Sequence, residues 1–160
     1  MKQRTATQLD DQLKQYAISK RLRADLRFNL DAINWDEQDF IVVTNKQGGE
    51  GVLFSDVSEH EAMQYELRKR GANASGRVEA IICDICATWQ SGPRSATITF
   101  RKARGNATFL VCSDLGCSDH VRNKTEASII SRTQLREHIT TEGRIARLHE
   151  RLARILSESS

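Results

Sequence analysis

Four cysteines occur in the 160 residues, set as two close pairs: Cys83 and Cys86 with two residues between them, Cys112 and Cys117 with four. No other feature restricts the possible folds so strongly. A tetrahedral zinc ion takes four thiolates at about 2.3 Å, so two such pairs must be brought to one point by whatever lies between them. A chain that holds all its cysteines in one cluster has committed them to a single task. The reading is one structural zinc ligated by Cys83, Cys86, Cys112 and Cys117.

Three other uses of these thiols fit less well. Disulfides call for an oxidising compartment, and the opening MKQRTATQLDDQLKQY has no apolar stretch resembling a signal peptide. A redox CxxC belongs at a helix start near a βαβ pattern and needs no second pair. Four unrelated buried thiols would not be expected to fall into two pairs.

Hydrophobic residues make up 39% of the 18.1 kDa chain, enough for a modest core, and no apolar run approaches a membrane span. A soluble, cytoplasmic protein without membrane or small-molecule partners is therefore expected. The net charge of +3 is too small to announce nucleic-acid binding. Its distribution is more informative. Residues 1–80 carry 12 basic and 13 acidic side chains, whereas residues 81–160 carry 12 and 8. The metal-binding half is the basic half, which points to an anionic partner.

Periodicity supplies the rest of the architecture. Thr7 is a candidate cap for a helix through Leu9, Leu13, Tyr16 and Ala17, and a second helical stretch runs from Lys20 to Asn29. Ile33 to Asp36 reads as a turn with Trp35 as anchor. Phe40 to Val43, Gly48-Gly49 and Val52 to Phe54 read as a β-hairpin. Ser58 and Glu61 have capping-box spacing, predicting a helix from about Glu59 to Arg70. Gly71, Asn73 and Gly76 form the best linker, giving an N-terminal helix and hairpin domain over 1–75 and a zinc domain over 76–160.

Val78 to Ile82 reads as a strand leading into the first cysteine pair. Two alternating segments, Ala96 to Arg101 and Ala107 to Cys112, predict a hairpin with Lys102 to Asn106 as its loop. Cys117 to Lys124 should open a helix. A knuckle, a hairpin and then a helix, with ligands at those places, is a treble-clef finger. Ser131 and Gln134 offer a cap for a further short helix. A last helix from Thr141 to Leu156 carries Ile145, Leu148, Leu152 and Ile155 on one stripe, with Arg144, Arg147, Arg151 and Arg154 around the rest. The fold class is α+β.

Cys83-Asp84-Ile85-Cys86, the hairpin, and the run from Cys112 through Cys117, Ser118, His120, Val121 and Arg122 together resemble the C-terminal treble-clef domain of the FBP family. The likeness covers about residues 78–156. Asn34 to Phe40 is similar to a Trp-Asp…Asp-Phe stretch in short members of that family. These FusB-type proteins bind elongation factor G and confer fusidic acid resistance. The resemblance implies a zinc module that docks on the translocase and helps it leave a drug-stalled ribosome. FusB-type proteins have a longer helical N-terminal domain, and use exposed aromatic residues where this chain has Asp84, Ala103 and Asn106.

No acidic residue lies between Cys86 and Cys112, so Arg94, Arg101, Lys102 and Arg104 make the hairpin a concentrated positive finger. Arg122 and Lys124 would extend that patch; Arg122 would otherwise pair with a local carboxylate or cap a helix end. Trp89 follows the knuckle closely and has two readings, packing or interface. His120, three residues after Cys117, has three readings: it replaces a thiolate, it sits just outside the ligand set, or it is an exposed helix residue; the last is preferred, because four thiolates already complete the tetrahedron. Asp36, Glu37 and Asp39 read as a solvated turn. A closed four-cysteine site has no open position for an activated water, so an enzyme is not expected. The leading expectation is a binding protein of the translation machinery, engaging elongation factor G and/or the ribosome. An RNA-binding zinc finger and a thiol-based redox sensor are the alternatives.

Overall fold

The computed structural model describes residues 1–16, 18–57, 62–101 and 105–158. Helix α1 (Ala6–Gln15) starts at Thr5, two residues before the expected Thr7. The Thr5 hydroxyl accepts from the Gln8 backbone N–H and the Gln8 side chain accepts from the Thr5 N–H, a reciprocal capping box. Helix α2 (Lys20–Asp25) is shorter than expected, because Leu26–Arg27 leave it to form strand β1. Trp35–Glu37 form one 3-10 turn. Strands β2 (Phe40–Asn45) and β3 (Glu50–Ser55) are the expected hairpin, with Phe40 opposite Ser55 and Thr44 opposite Gly51.

Among the described residues of the segment, 62–70, the helix expected over 59–70 is not there. Ala62–Lys69 form strand β4. Met63, Tyr65 and Leu67 alternate at the two-residue period of a strand and pack into one core cluster. Helix propensity in Glu66, Leu67, Arg68 and Lys69 is a weak preference. Two flanking ladders override it, Glu50 opposite Glu66 on one side and Tyr65 opposite Phe100 on the other. The Ser58 and Glu61 of the supposed capping box lie outside the described residues.

Beyond the loop, β5 (Ile81–Ile82) pairs with β6 (Trp89–Gln90) around the first cysteine pair. Strands β7 (Ser95–Arg101) and β8 (Asn106–Cys112) form the second hairpin. Gly92, between β6 and β7, admits no side chain: a Cβ there would lie 1.8 Å from the Val78 carbonyl oxygen. Helix α3 (Cys117–Val121) stops short of the expected Lys124. Helix α4 (Glu126–Leu135) is capped by Thr125 through Ser128, and Ser131 is a buried mid-helix residue instead of a cap. Helix α5 (Thr141–Glu158) closes the described chain.

Six strands form one antiparallel sheet in the order β1-β2-β3-β4-β7-β8. The expected division at residues 75 and 76 falls between β4 and β5, and the sheet runs across it through the β4–β7 ladder. Alternation sorts the side chains of the central strands between two layers. Ile41, Val43, Val52 and Phe54 join Leu9, Leu13 and Leu22 under α1 and α2. Phe40, Leu53, Met63 and Tyr65 join the four cysteines and Leu148, Leu152 and Ile155 of α5 on the other face. The uninterrupted apolar runs of β2 and β3 follow from having both faces covered.

An ion-pair network ties the finger to the start of β2. Asp39 is buried and accepts from Arg122 at 2.6 and 3.1 Å, and its Oδ1 lies 2.7 Å from His149 Nε2 on α5. The Asp39 backbone N–H donates to Ser118 Oγ at 3.0 Å. Asp39 is thus an internal anchor, where a solvated turn had been expected. Burial alone would raise its pKa; hydrogen bonds from Arg122 and His149 outweigh that and hold it below the usual 3.8. A carboxylate with a depressed folded pKa stabilises the protein above its unfolded pKa, and the benefit disappears as pH falls through the folded value. Asp39→Asn should therefore lower unfolding free energy by on the order of 2 kcal/mol near neutral pH. In denaturant titrations at several pH values, the gap from wild type should shrink below about pH 4. A gap that does not depend on pH would contradict the assigned role.

Candidate metal centre

The turn between β5 and β6 presents the first two thiols. Its backbone closes with the Ala87 N–H donating to the Cys83 carbonyl and the Cys83 N–H to the Thr88 carbonyl, each at 2.9 Å. Ala87 and Leu115 adopt left-handed backbone, with φ of 57° and 52°, one beside each cysteine pair. Such conformations are disfavoured for residues with a Cβ by roughly 1–2 kcal/mol, so the surrounding bonds must hold them. Cys112 ends β8 and Cys117 begins α3, the strand-end and helix-start positions expected from the sequence.

All four sulfurs are buried and lie within 4.8 Å of one another. Cys83 and Cys117 are 3.8 Å apart, and Cys86 and Cys112 are 3.6 Å apart. Four ligands at about 2.3 Å around a tetrahedral ion would be about 3.8 Å apart, whereas a disulfide needs about 2.05 Å. The thiols behave as a crowded set. Against the penalty of burial, Cys112, Cys117 and Cys83 draw the Cys86 thiol well below its usual range. Cys112, Cys83, Cys86 and burial push the Cys117 thiol far up. Four thiolates cannot coexist there without a cation, and a divalent ion removes the conflict. The donor set fits one structural zinc.

Polar groups surround the sulfurs. Gln90 Nε2 donates to Thr88 Oγ1 at 2.9 Å, leaving the Thr88 hydroxyl proton free for Cys86 Sγ, also at 2.9 Å. His120 is only 1% exposed, contrary to the sequence expectation. Its Nδ1 lies 3.3 Å from Cys112 Sγ and its Nε2 3.5 Å from Asp114. Burial disfavours a charged ring, yet Asp114 and the Cys86 sulfur outweigh it and raise His120 to about 9. Arg144, expected on the polar face of α5, is equally buried. It donates to the His120 carbonyl at 3.1 Å and to Asn123. The i,i+3 spacing of Cys117 and His120 was the one local hint that the ring turns inward.

Among the described residues, the expected partner-binding residues do not converge on one patch. Arg94 and Arg101 lie at opposite ends of β7, roughly 20 Å apart at a strand rise of about 3.3 Å per residue. Arg94 pairs with Glu126 at 3.0 Å, and Arg101 lies 4.0 Å from Glu50. Lys102 and Arg104 fall outside the described residues. Arg122 is spent on Asp39, and Lys124 pairs with Glu37. Trp89 is partly buried; its backbone N–H donates to Ser131 Oγ at 2.7 Å. With Gln90, Arg94, Ala127 and Ile130 it lines a cavity of about 170 Å³.

A knuckle, a strand end and a helix start that converge on four thiolates define a treble-clef zinc module, here built onto a six-stranded sheet. The chain belongs to the family described as FBP C-terminal treble-clef zinc-finger, which matches it over residues 15–158. That span reaches far upstream of the 78–156 resemblance and takes in β1 to β4, in keeping with a sheet that both halves share. No curated protein and no solved structure matched the chain.

Cys83→Ser should abolish stoichiometric zinc, measured by metal analysis of the purified protein. It should also unfold the knuckle and α3, whose core is the cluster itself. Retained zinc with a native circular dichroism spectrum would contradict the ligand assignment.

Proposed function

We propose that this protein is a binding protein of the translation machinery, not an enzyme, and that it engages elongation factor G and/or the ribosome through the outer surface of its zinc module. Release of a stalled factor, as in fusidic acid resistance, is the activity that fits such a contact. Family membership supports the reading. So does the closed ligand set, which leaves zinc no position at which to activate water.

The observation that carries the proposal is an apolar surface beside the knuckle. Ile82, half exposed, stands opposite Trp89 across the β5–β6 pair. Ile130 lines the same cavity as Trp89, and the neighbouring Ile129 is 64% exposed. Ile82 and Ile130 beside an aromatic ring, with arginine at the rim, have the composition of a protein-docking site. Arg94 supplies that rim, and Arg101, at the far end of β7, supplies a second basic contact. Direct RNA binding is less favoured, because Arg94, Arg122 and Lys124 are each paired with a carboxylate.

Pull-down with purified elongation factor G and with ribosomes tests this. Wild type should retain at least one of them, and Trp89→Ala with Ile130→Asp should weaken retention at least tenfold. Glu at Arg101, Lys102 and Arg104 should lower binding and its salt dependence. Absence of both partners from the wild-type sample would defeat the proposal. Steeply salt-dependent RNA binding, indifferent to elongation factor G, would favour the nucleic-acid reading instead.

A further inference from the structure

A divalent zinc ion with four thiolates carries a formal charge of −2, and the four cysteines are fully buried. Charge in that position needs donors aimed at the sulfurs, because water cannot reach them. Among the described residues, two side chains other than cysteine reach a sulfur: Thr88, at 2.9 Å from Cys86 and 3.8 Å from Cys112, and His120, at 3.3 Å from Cys112. His120 is the better supported of the two. Its ring lies between Cys112 Sγ at Nδ1 and the Asp114 carboxylate at Nε2, while its carbonyl is held by the buried Arg144. Ring and backbone are thereby clamped from opposite ends, and each ring nitrogen faces an acceptor.

We propose that His120 is a positioning residue of the zinc centre: its Nδ1–H donates to the Cys112 thiolate, Asp114 aligns the ring, and the bond sets how tightly the metal is held. The arrangement is the thiolate counterpart of the carboxylate–histidine pairs that orient ligands from outside a metal's own coordination sphere. Here the histidine supports a sulfur ligand without binding the metal. The bond would favour the thiolate form of Cys112 when the metal is bound.

Chelator competition on the full chain, together with the charge-transfer bands of the cobalt-substituted protein, tests the assignment. His120→Leu keeps the bulk and removes the donor, and should weaken zinc about 10- to 100-fold and shift the cobalt–thiolate bands. His120→Asn places an amide N–H close to the Nδ1 position and should recover most of the affinity. Asp114→Ala, at an exposed carboxylate, should weaken zinc in the same direction without unfolding the chain. Mapping of sites modified by N-ethylmaleimide should find Cys112 gaining reactivity first in His120→Leu. Unchanged affinity and bands in His120→Leu would overturn the proposal. So would a folded His120→Asn that binds zinc no better than His120→Leu, since shape alone would then explain both. Should His120→Leu fail to fold, His120→Asn and Asp114→Ala decide: an unchanged affinity in Asp114→Ala overturns the alignment role. None of these readouts involves a translation partner, so they stand or fall independently of the docking surface.

Discussion

The convergence of four thiolates on one point is the constraint from which the architecture of the second half follows. Cys83 and Cys86 come from a tight turn, Cys112 from a strand end and Cys117 from a helix start. None of these pieces buries enough apolar surface to persist alone, and α3 has only five residues. A metal that joins them replaces a core that so short a segment cannot build. The same sulfurs lie in one cluster with Phe40, Leu53 and Tyr65 of the sheet and Leu148 and Leu152 of α5, so the zinc centre is also part of the main hydrophobic core.

That shared core explains why the finger is not a pendant module. The ladder between β4 and β7 joins the two halves through backbone hydrogen bonds, and Asp39 joins them again through Arg122 and His149. A buried carboxylate is tolerated there because two partners and Ser118 satisfy it; removing one partner would leave an uncompensated charge. Arg122 and Lys124 are consumed by this internal stitching. The surface proposed to dock a partner is accordingly more apolar, centred on Trp89 and Ile130, with Arg94 at its edge.

Much of the second half was legible because its signals are local. The alternation of Ala96, Ile98 and Phe100 has the two-residue period of a strand, and β7 buries those three side chains. The stripe of Leu148, Leu152 and Ile155 is equally direct, since one helix face meets one core. The segment from Ala62 to Lys69 misled for the opposite reason. Its residues favour a helix slightly, while its conformation is imposed by β3 and β7 on either side, and the alternation of Met63, Tyr65 and Leu67 was the signal that tertiary pairing would win. Thr5 and Thr125 cap helices through reciprocal bonds to residues three positions on, whereas Thr7 and Ser131, which have similar local signals, lie inside those helices.

By itself, the sequence determined the ligand set, the order of knuckle, hairpin and helix, and the amphipathic closing helix. Each is encoded by chemistry spaced a few residues apart, within the reach of one turn or one strand pair. Only the tertiary structure decided that β4 is a strand, that one sheet spans both halves, and that His120 and Arg144 face inward. It also decided the fate of Asp39, whose partners are 83 and 110 residues away. Pairs so far apart leave no periodicity to read, because their geometry exists only once the intervening chain has folded.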